Sequence, residues 1–415
     1  MSKYFLVFFV FFCASGQKIS ERKIKKWINQ ISVFDKSHVG IRVEGISKIY
    51  ADYNGSKYMT PASNTKLFTF LAAVQTFDSL PTLEYKIEND SVVSFSSTGY
   101  PLLLHPFYSD STLLNFLSKK KTWKYSKPKN KVKPYWPGWA WDDYNFYYAA
   151  EKSAFPIHGN TVKYIIGNNP VPKFSFELDS SINNFQRSKI ENKFYYNPNT
   201  VKGTDTLYIP FITSDSLFIK LLSAATDNYI TYKTKNDSLD WSVLYTNNEN
   251  KLYRALLQDS DNGVAESLLL MISKRLLGGF STEKAIEILK NKWGDIFNDE
   301  LIWYDGSGIS RYNMFTPRAI IQVLNLIRKE IKWPKIQQLF PKSGQSGTLL
   351  GYPNLKNIYA KTGTLRNNHN LSGFFKTGKE EILTFSVMVN HFSSSTTQVR
   401  NGISEIINKI KKKLD

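Results

Sequence analysis

The chain has 415 residues, a formal net charge of +19, 42% hydrophobic residues and 15% aromatic residues. That length exceeds one ordinary core and predicts two domains, while the apolar content excludes wholesale disorder. The positive excess suits polyanionic surroundings, whether nucleic acid, anionic lipid or acidic wall polymers.

The first elements form an export pattern. Lys3 supplies a charge, residues 4–12 an apolar run, and Ala14-Ser15-Gly16 small residues ahead of a cut before Gln17. The run is too short to span a bilayer as a helix. A signal peptide over residues 1–16 is therefore expected, with delivery to the periplasm or cell envelope. Cys13, the sole cysteine, lies inside that segment, and bulky Phe12 before it argues against a lipid anchor. The mature chain then has neither disulfides nor thiol chemistry. Export also removes nucleic acid from the expected partners.

Next, HVGIRVEGISKIY alternates like a strand, and Tyr53-Asn54-Gly55-Ser56 reads as a turn. Pro61-Ala62-Ser63 leads into TKLFTFLAAVQTF, whose apolar spacing without Gly or Pro predicts a buried helix. Between residues 85 and 245 the texture changes to short runs (KYIIG, KFSFEL, NKFYYN, TLYIPFI, LFIKLLSA) separated by Asn, Asp, Ser and Gly clusters, which predicts a mainly β module. Lysines crowd residues 119–133 with Trp123 and Tyr125 interleaved. That composition fits a single-strand nucleic-acid groove, but a solvated loop is the simpler expectation. A second buried helix is predicted over VAESLLLMISKRL, then extended runs IYAKTGTL, LSGFF and EILTFSVMVNHF, then a last helix of about fifteen to twenty residues after Thr396. The expected organisation is one discontinuous domain, residues 17–84 and 246–415, interrupted by the module at 85–245.

Three short motifs carry chemistry. Ser63-Asn64-Thr65-Lys66 has rivals in Ser20-Lys23, Ser118-Lys121, Ser126-Lys129 and Ser281-Lys284. Only Ser63 opens a strongly apolar helix, where spacing i, i+3 puts hydroxyl and amine on one face. A lysine buried there loses its proton readily, as a base for Ser63 must; a helix cap with a snorkelling lysine is the alternative. Ser260-Asp261-Asn262 immediately precedes the second apolar helix, where plain N-cap chemistry also suits it. Lys361-Thr362-Gly363 lies within an extended run, whereas its twin Lys376-Thr377-Gly378 sits between two runs and reads as a hairpin turn. Alternation places Lys361 and Gly363 on one face, Thr362 and Thr364 on the other, with Gly363 permitting close approach of a substrate backbone. In series the motifs describe a serine acyl-transfer site. The five histidines are scattered without ligand spacing, so no metal, cofactor or Ser-His-Asp triad is expected.

With PASNTKLFT, WPGWAWDDYNFYYAAEKSA (136–154), YDGSGISRYNMFTP (304–317), GQSGTLLGYPNLKNIYAKTGTL (344–365) and NLSGFF in this order, the chain resembles the D-alanyl-D-alanine carboxypeptidase/endopeptidase family, the class C low-molecular-mass penicillin-binding proteins of penicillin-binding protein 4 type. The insertion departs from the family: the expected glycine-rich stretch appears only as STGYPLLL (97–104). The resemblance implies an α+β fold, with a β-lactamase/transpeptidase-like catalytic domain of antiparallel sheet packed by helices and interrupted by a mainly β insertion. It also implies peptidoglycan stem peptides as substrate and β-lactam antibiotics as inhibitors. By the same resemblance Ser63 forms the acyl-enzyme and Lys66 takes its proton. Ser260 and Lys361 relay a proton to the leaving amine, and Asn262 holds the substrate amide. Backbone N–H groups of Ser63 and Thr364 form the oxyanion hole, and Lys361, Thr362 and Thr364 bind the terminal carboxylate. Asp143 and Arg311 resemble positions lining a pocket for the zwitterionic end of diaminopimelate; a salt bridge from Arg311 to Asp305 is the structural alternative. Trp139, Trp141 and Tyr148 are expected to pack between insertion and catalytic domain. Two other readings stand beside this one: a β-lactamase, and an inactive binder of peptidoglycan or an anionic polymer or membrane surface through the basic face.

Overall fold

The computed structural model describes residues 18–108, 110–128, 130–234 and 240–415. The export pattern, Cys13 and Lys129 lie outside the described residues. The chain begins with α1 (Glu21–Asn29), β1 (His38–Glu44), β2 (Ile49–Tyr53) and α2 (Lys66–Thr76). Next come β3 (Leu80–Asn89), β4 (Val92–Ser97), α3 (Ser111–Leu117), β5 (Thr122–Lys127), β6 (Thr161–Ile165), β7 (Phe176–Leu178), β8 (Phe185–Arg187), β9 (Phe194–Tyr196) and β10 (Thr206–Pro210). They are followed by α4 (Asp215–Thr226), β11 (Ile230–Thr234), β12 (Ser242–Thr246), α5 (Glu249–Leu257), α6 (Asn262–Leu277), α7 (Thr282–Trp293), α8 (Pro317–Glu330) and α9 (Trp333–Leu339). The last elements are β13 (Ile358–Leu365), β14 (Asn368–Lys376), β15 (Ile382–Asn390) and α10 (Thr396–Leu414).

The sheet that carries the third motif runs β13-β14-β15-β1-β2 and is antiparallel throughout. Helices cover both faces, so β15 is buried nearly end to end, its polar Thr384, Ser386 and Asn390 included. On one face Val387 and Leu371 meet Ile24 and Ile28 of α1 and Ile403 and Ile407 of α10. On the other, Met388 and Phe374 join the core built on α2, α6 and α8. Leu67, Phe68, Phe70 and Leu71 of α2 are fully buried. At about 1.5–3 kcal/mol per such side chain, this anchoring makes α2 a rigid mount for the residues at its start. The fold is α+β, an antiparallel sheet packed by helices, as expected.

A second five-stranded sheet has the order β11-β5-β4-β3-β12. Strands β4, β5 and β11 pair in parallel, while β3 pairs antiparallel with β4 and β12. A two-stranded pair β10-β6 and a small sheet β7-β9-β8 complete this region.

Three expectations are corrected. HVGIRVEGISKIY is a hairpin and not one strand: the chain reverses after Glu44, where Gly45 N–H donates to Lys48 O at 2.8 Å. Period-2 alternation carries through a tight turn without marking it. LFIKLLSA is part of α4, capped by Ser214 Oγ accepting from Leu217 N–H; short apolar runs fit buried strand and buried helix alike. The middle of the lysine-rich stretch is a strand, β5, paired on both sides, with Trp123 and Tyr125 facing the core at 1% exposure, unavailable for stacking on a ligand. Lys124 pairs with Glu88, Lys120 with Asp227 and Lys133 with Glu283. Among the described residues no helix is long and apolar enough to cross a membrane.

Candidate active site

Residues 62–65 form a single 3-10 turn that runs into α2. Ala62 takes a left-handed backbone (φ 47°), and so does Ser260 (φ 61°); such strained residues persist only where their surroundings hold them. Thr65 Oγ1 donates to Ala62 O at 2.9 Å, and Asn64 Nδ2 donates to Lys361 O at 2.9 Å. Asn370 Nδ2 donates to Thr60 O and Pro61 O, both at 2.9 Å. The nucleophile turn is thereby tied to β13 and β14. Gly363 lies against it: a Cβ there would fall 2.3 Å from Pro61 O and 3.2 Å from Ser63 N. The close approach that Gly363 permits is thus of the protein's own turn, where the sequence suggested a substrate backbone.

Half-buried Ser63 faces Lys66, which is fully buried. Lys66 Nζ lies 2.9 Å from Ser63 Oγ, 2.6 Å from Asn262 Oδ1 and 2.7 Å from Ser307 O. The last two are carbonyl oxygens and only accept. A neutral amine that donates its two hydrogens to them turns its lone pair on Ser63, whose hydroxyl can donate. Burial pulls the Lys66 pKa down to about 8, against the opposing charges of Asp305, Asp261 and Glu266.

Asp261 caps α6, its Oδ1 accepting from Val264 N–H at 2.9 Å. The flanking motif residues turn inward. Asn262 accepts from Lys66 and donates through Nδ2 to Tyr148 O at 2.8 Å, which settles the orientation of its amide and engages both ends. Ser260 Oγ accepts from Lys361 Nζ at 2.8 Å, and the same ammonium reaches Thr362 O at 2.9 Å. Burial, with the charge of Lys66 nearby, holds Lys361 well below the ordinary lysine range. Five predicted residues from three distant parts of the sequence are therefore brought together as a hydrogen-bonded trio, Ser63, Lys66 and Asn262, and a pair, Ser260 and Lys361. Thr362 is buried with Oγ1 donating to Thr348 Oγ1 at 2.8 Å, and Thr364 is exposed at the far end of the motif.

The segment between β5 and β6 closes one side. Trp136 Nε1 donates to Glu266 at 3.0 Å and Trp139 Nε1 to Asp305 at 2.9 Å. Glu266 also accepts from Ser307 N–H at 2.8 Å, one residue whose carbonyl holds Lys66. Asp305 organises the DGSG turn by accepting from Gly308 N–H, Ser310 N–H and Asn313 Nδ2. It is fully buried while Arg311 is exposed, and no salt bridge joins them. Asp143 accepts from Tyr148 Oη at 2.8 Å. Burial and Asp143 raise the Tyr148 phenol, with the charge of Arg311 opposing them, and Arg311 N–H donates to Gly138 O at 3.1 Å, which ties its backbone to the same segment. Trp139 packs as expected, but Trp141 is 65% exposed, its ring tilted 32° against that of Tyr144. Glu266 and the carboxylate role of Asp305 went unseen in the sequence, because a buried acid on an apolar helix or turn has no spacing signature.

The sequence profile of the D-Ala-D-Ala carboxypeptidase 3 (S13) family matches residues 20–114 and 247–412. The chain belongs to that family. Within it, the chain is 24% identical over 433 aligned positions to D-alanyl-D-alanine carboxypeptidase DacB of Haemophilus influenzae, covering 89% of each protein. The crystal structure of penicillin-binding protein 4 (dacB) from Haemophilus influenzae superposes with a TM-score of 0.74 at 21% identity, over 94% of this chain and 99% of that one. A predatory peptidoglycan endopeptidase from Bdellovibrio bacteriovorus shares the fold at a TM-score of 0.54 and 15% identity, over 90% of this chain and 93% of that one. This S13 protein is thus a serine-type hydrolase of the D-Ala-D-Ala carboxypeptidase kind.

Proposed function

We propose that the chain cleaves the terminal D-alanyl-D-alanine bond of peptidoglycan stem peptides through an acyl-enzyme on Ser63. The observation that carries this is the Lys66 amine, held by two carbonyl oxygens with its third position on Ser63 Oγ. Ser63 Oγ attacks the penultimate D-alanyl carbonyl as Lys66 accepts the hydroxyl proton. The oxyanion is met by the N–H groups of Ser63 and Thr364. Collapse breaks the C–N bond, and the Lys361–Ser260 pair delivers a proton to the leaving D-alanine amine. Water then releases the acyl group and restores the serine. Substrate lies along β13, an edge strand whose residues 358–360 are covered by contacts with residues 341–343. Asp143 and Arg311 suit the zwitterionic end of a diaminopimelate side chain.

The same site serves endopeptidase cleavage of crosslinks, where the leaving amine belongs to a second stem. The family match leaves out residues 115–246, which supports an insertion there, while it takes in residues 85–114, the start of the module read at 85–245 between catalytic parts 17–84 and 246–415. The N-terminal export pattern supports a periplasmic or envelope location, where a basic surface meets anionic polymers.

Intact mass of the purified protein after benzylpenicillin, with peptide mapping, tests the reading alongside release of D-alanine from a pentapeptide. One slowly lost adduct on Ser63 with D-alanine release supports it. Penicillin consumed without an adduct would make the protein a β-lactamase. Intact drug and intact peptide would leave a binding protein.

A further inference from the structure

His369 stands directly across from Thr364 in the β13–β14 register and is fully buried. Its Nδ1 lies 2.7 Å from Thr364 Oγ1, and its Nε2 lies 2.5 Å from Tyr352 Oη. Tyr352 is itself buried, at 1% exposure, and its hydroxyl has no other hydrogen-bond partner among the described residues. Burial keeps the imidazole neutral, with its pKa lowered to about 3 and the nearby positive charges of Arg400 and Lys361 acting in the same direction.

A neutral imidazole has one donor nitrogen and one acceptor, and its surroundings choose between them. If Nε2 carried the proton, the Tyr352 hydroxyl would have to accept, and its own hydrogen would be buried without an acceptor. An orphaned buried donor costs far more than an unused lone pair. The Tyr352 hydroxyl therefore donates to Nε2, which puts the ring proton on Nδ1. Nδ1–H in turn donates to Thr364 Oγ1. The Thr364 hydrogen is then left for an acceptor outside this chain of bonds, on a residue exposed at the cleft. The other motif hydroxyl, Thr362, is buried and spends its hydrogen on Thr348.

We propose that His369, oriented by Tyr352, is a positioning residue that makes the Thr364 hydroxyl an obligate donor to the C-terminal carboxylate of the substrate. The inference rests on the acyl-transfer reading above and extends it to how that carboxylate is distinguished from a neutral end. With the opposite tautomer Thr364 would offer only lone pairs and repel a carboxylate.

The test compares kcat/KM on a peptide ending in D-alanyl-D-alanine with the same peptide ending in D-alaninamide, for wild type, Tyr352→Phe, Thr364→Ala and the double variant. Tyr352→Phe is expected to lower the carboxylate-to-carboxamide ratio about tenfold, the scale of one charge-assisted hydrogen bond. It should add nothing further once Thr364→Ala is present. Equal loss on both peptides, or additive losses in the double variant, would overturn the inference. Nitrogen chemical shifts of His369 in the wild-type protein read the tautomer without any substitution, and a proton on Nε2 would also overturn it. Wild type that cleaves neither peptide and takes no penicillin would sink the acyl-transfer reading instead, while the tautomer measurement still decides the hydrogen-bond chain.

Discussion

Gly308 is pressed against the carbonyl of Ala62: a Cβ on Gly308 would lie 2.0 Å from Ala62 O and 2.9 Å from Thr65 Oγ1. Gly308 itself has φ +85°, so a side chain there meets both a strained backbone and the floor of the nucleophile turn. Gly308→Ala should cost about 2–4 kcal/mol of stability. It should also slow acylation of Ser63 by more than a stability loss explains, because the turn must shift to make room. Thermal melts paired with benzylpenicillin acylation rates at a temperature where the variant is folded check this.

The pH dependence of acylation follows from Lys66. The amine serves as base only when unprotonated, and its pKa is pulled down to about 8. Acylation should therefore rise as pH increases through about 8 and level off above it. A rate flat from pH 6 to 10 would remove Lys66 as the base. Lys66→Arg keeps a charge that does not come off in this range and should cut acylation at least about a hundredfold, within the span of general-base contributions.

Glu266 acts on the same lysine from behind. Its carboxylate accepts from Trp136 and Ser307, and its negative charge favours the protonated form of Lys66. Glu266→Gln can satisfy only one of those donors through its oxygen and should cost about 1–3 kcal/mol in a thermal melt. With the charge gone, the rising limb of the acylation profile should move to lower pH. Asp305 and Asp261 still act on Lys66, and Lys152 faces Glu266 from the segment before β6, so the move should be partial. A limb that stays in place would show that Glu266 only braces the turn.

Arg311 separates substrate recognition from chemistry. It is exposed, has no salt bridge to Asp305, and its backbone N–H donates to Gly138 O in the segment that carries Asp143 and Tyr148. Arg311→Ala should lose about tenfold or more in kcat/KM on diaminopimelate-containing peptides while acylating normally with benzylpenicillin, which has no such side chain. Equal loss on both would remove the pocket.

The linear chain held the reactive groups and their local settings. Ser63 and Lys66 are one helical turn apart, Asp261 caps an apolar helix, and Lys361 sits in an alternating run, all through local rules of period and capping. The same rules went astray at Gly45, where a hairpin keeps the alternation, and at residues 217–224, where a short apolar run folded as helix. Tertiary structure decided the rest. Only packing brings Ser307 O and Asn262 Oδ1 to Lys66 and so points its lone pair at Ser63. Only packing sets Glu266 behind Ser307, presses Gly363 on the nucleophile turn and lines up Tyr352, His369 and Thr364. The physical reason is that hydrogen-bond direction and desolvation depend on neighbours far apart in sequence: local spacing can place a lysine beside a serine, but burial and the partners of its other hydrogens make that lysine a base.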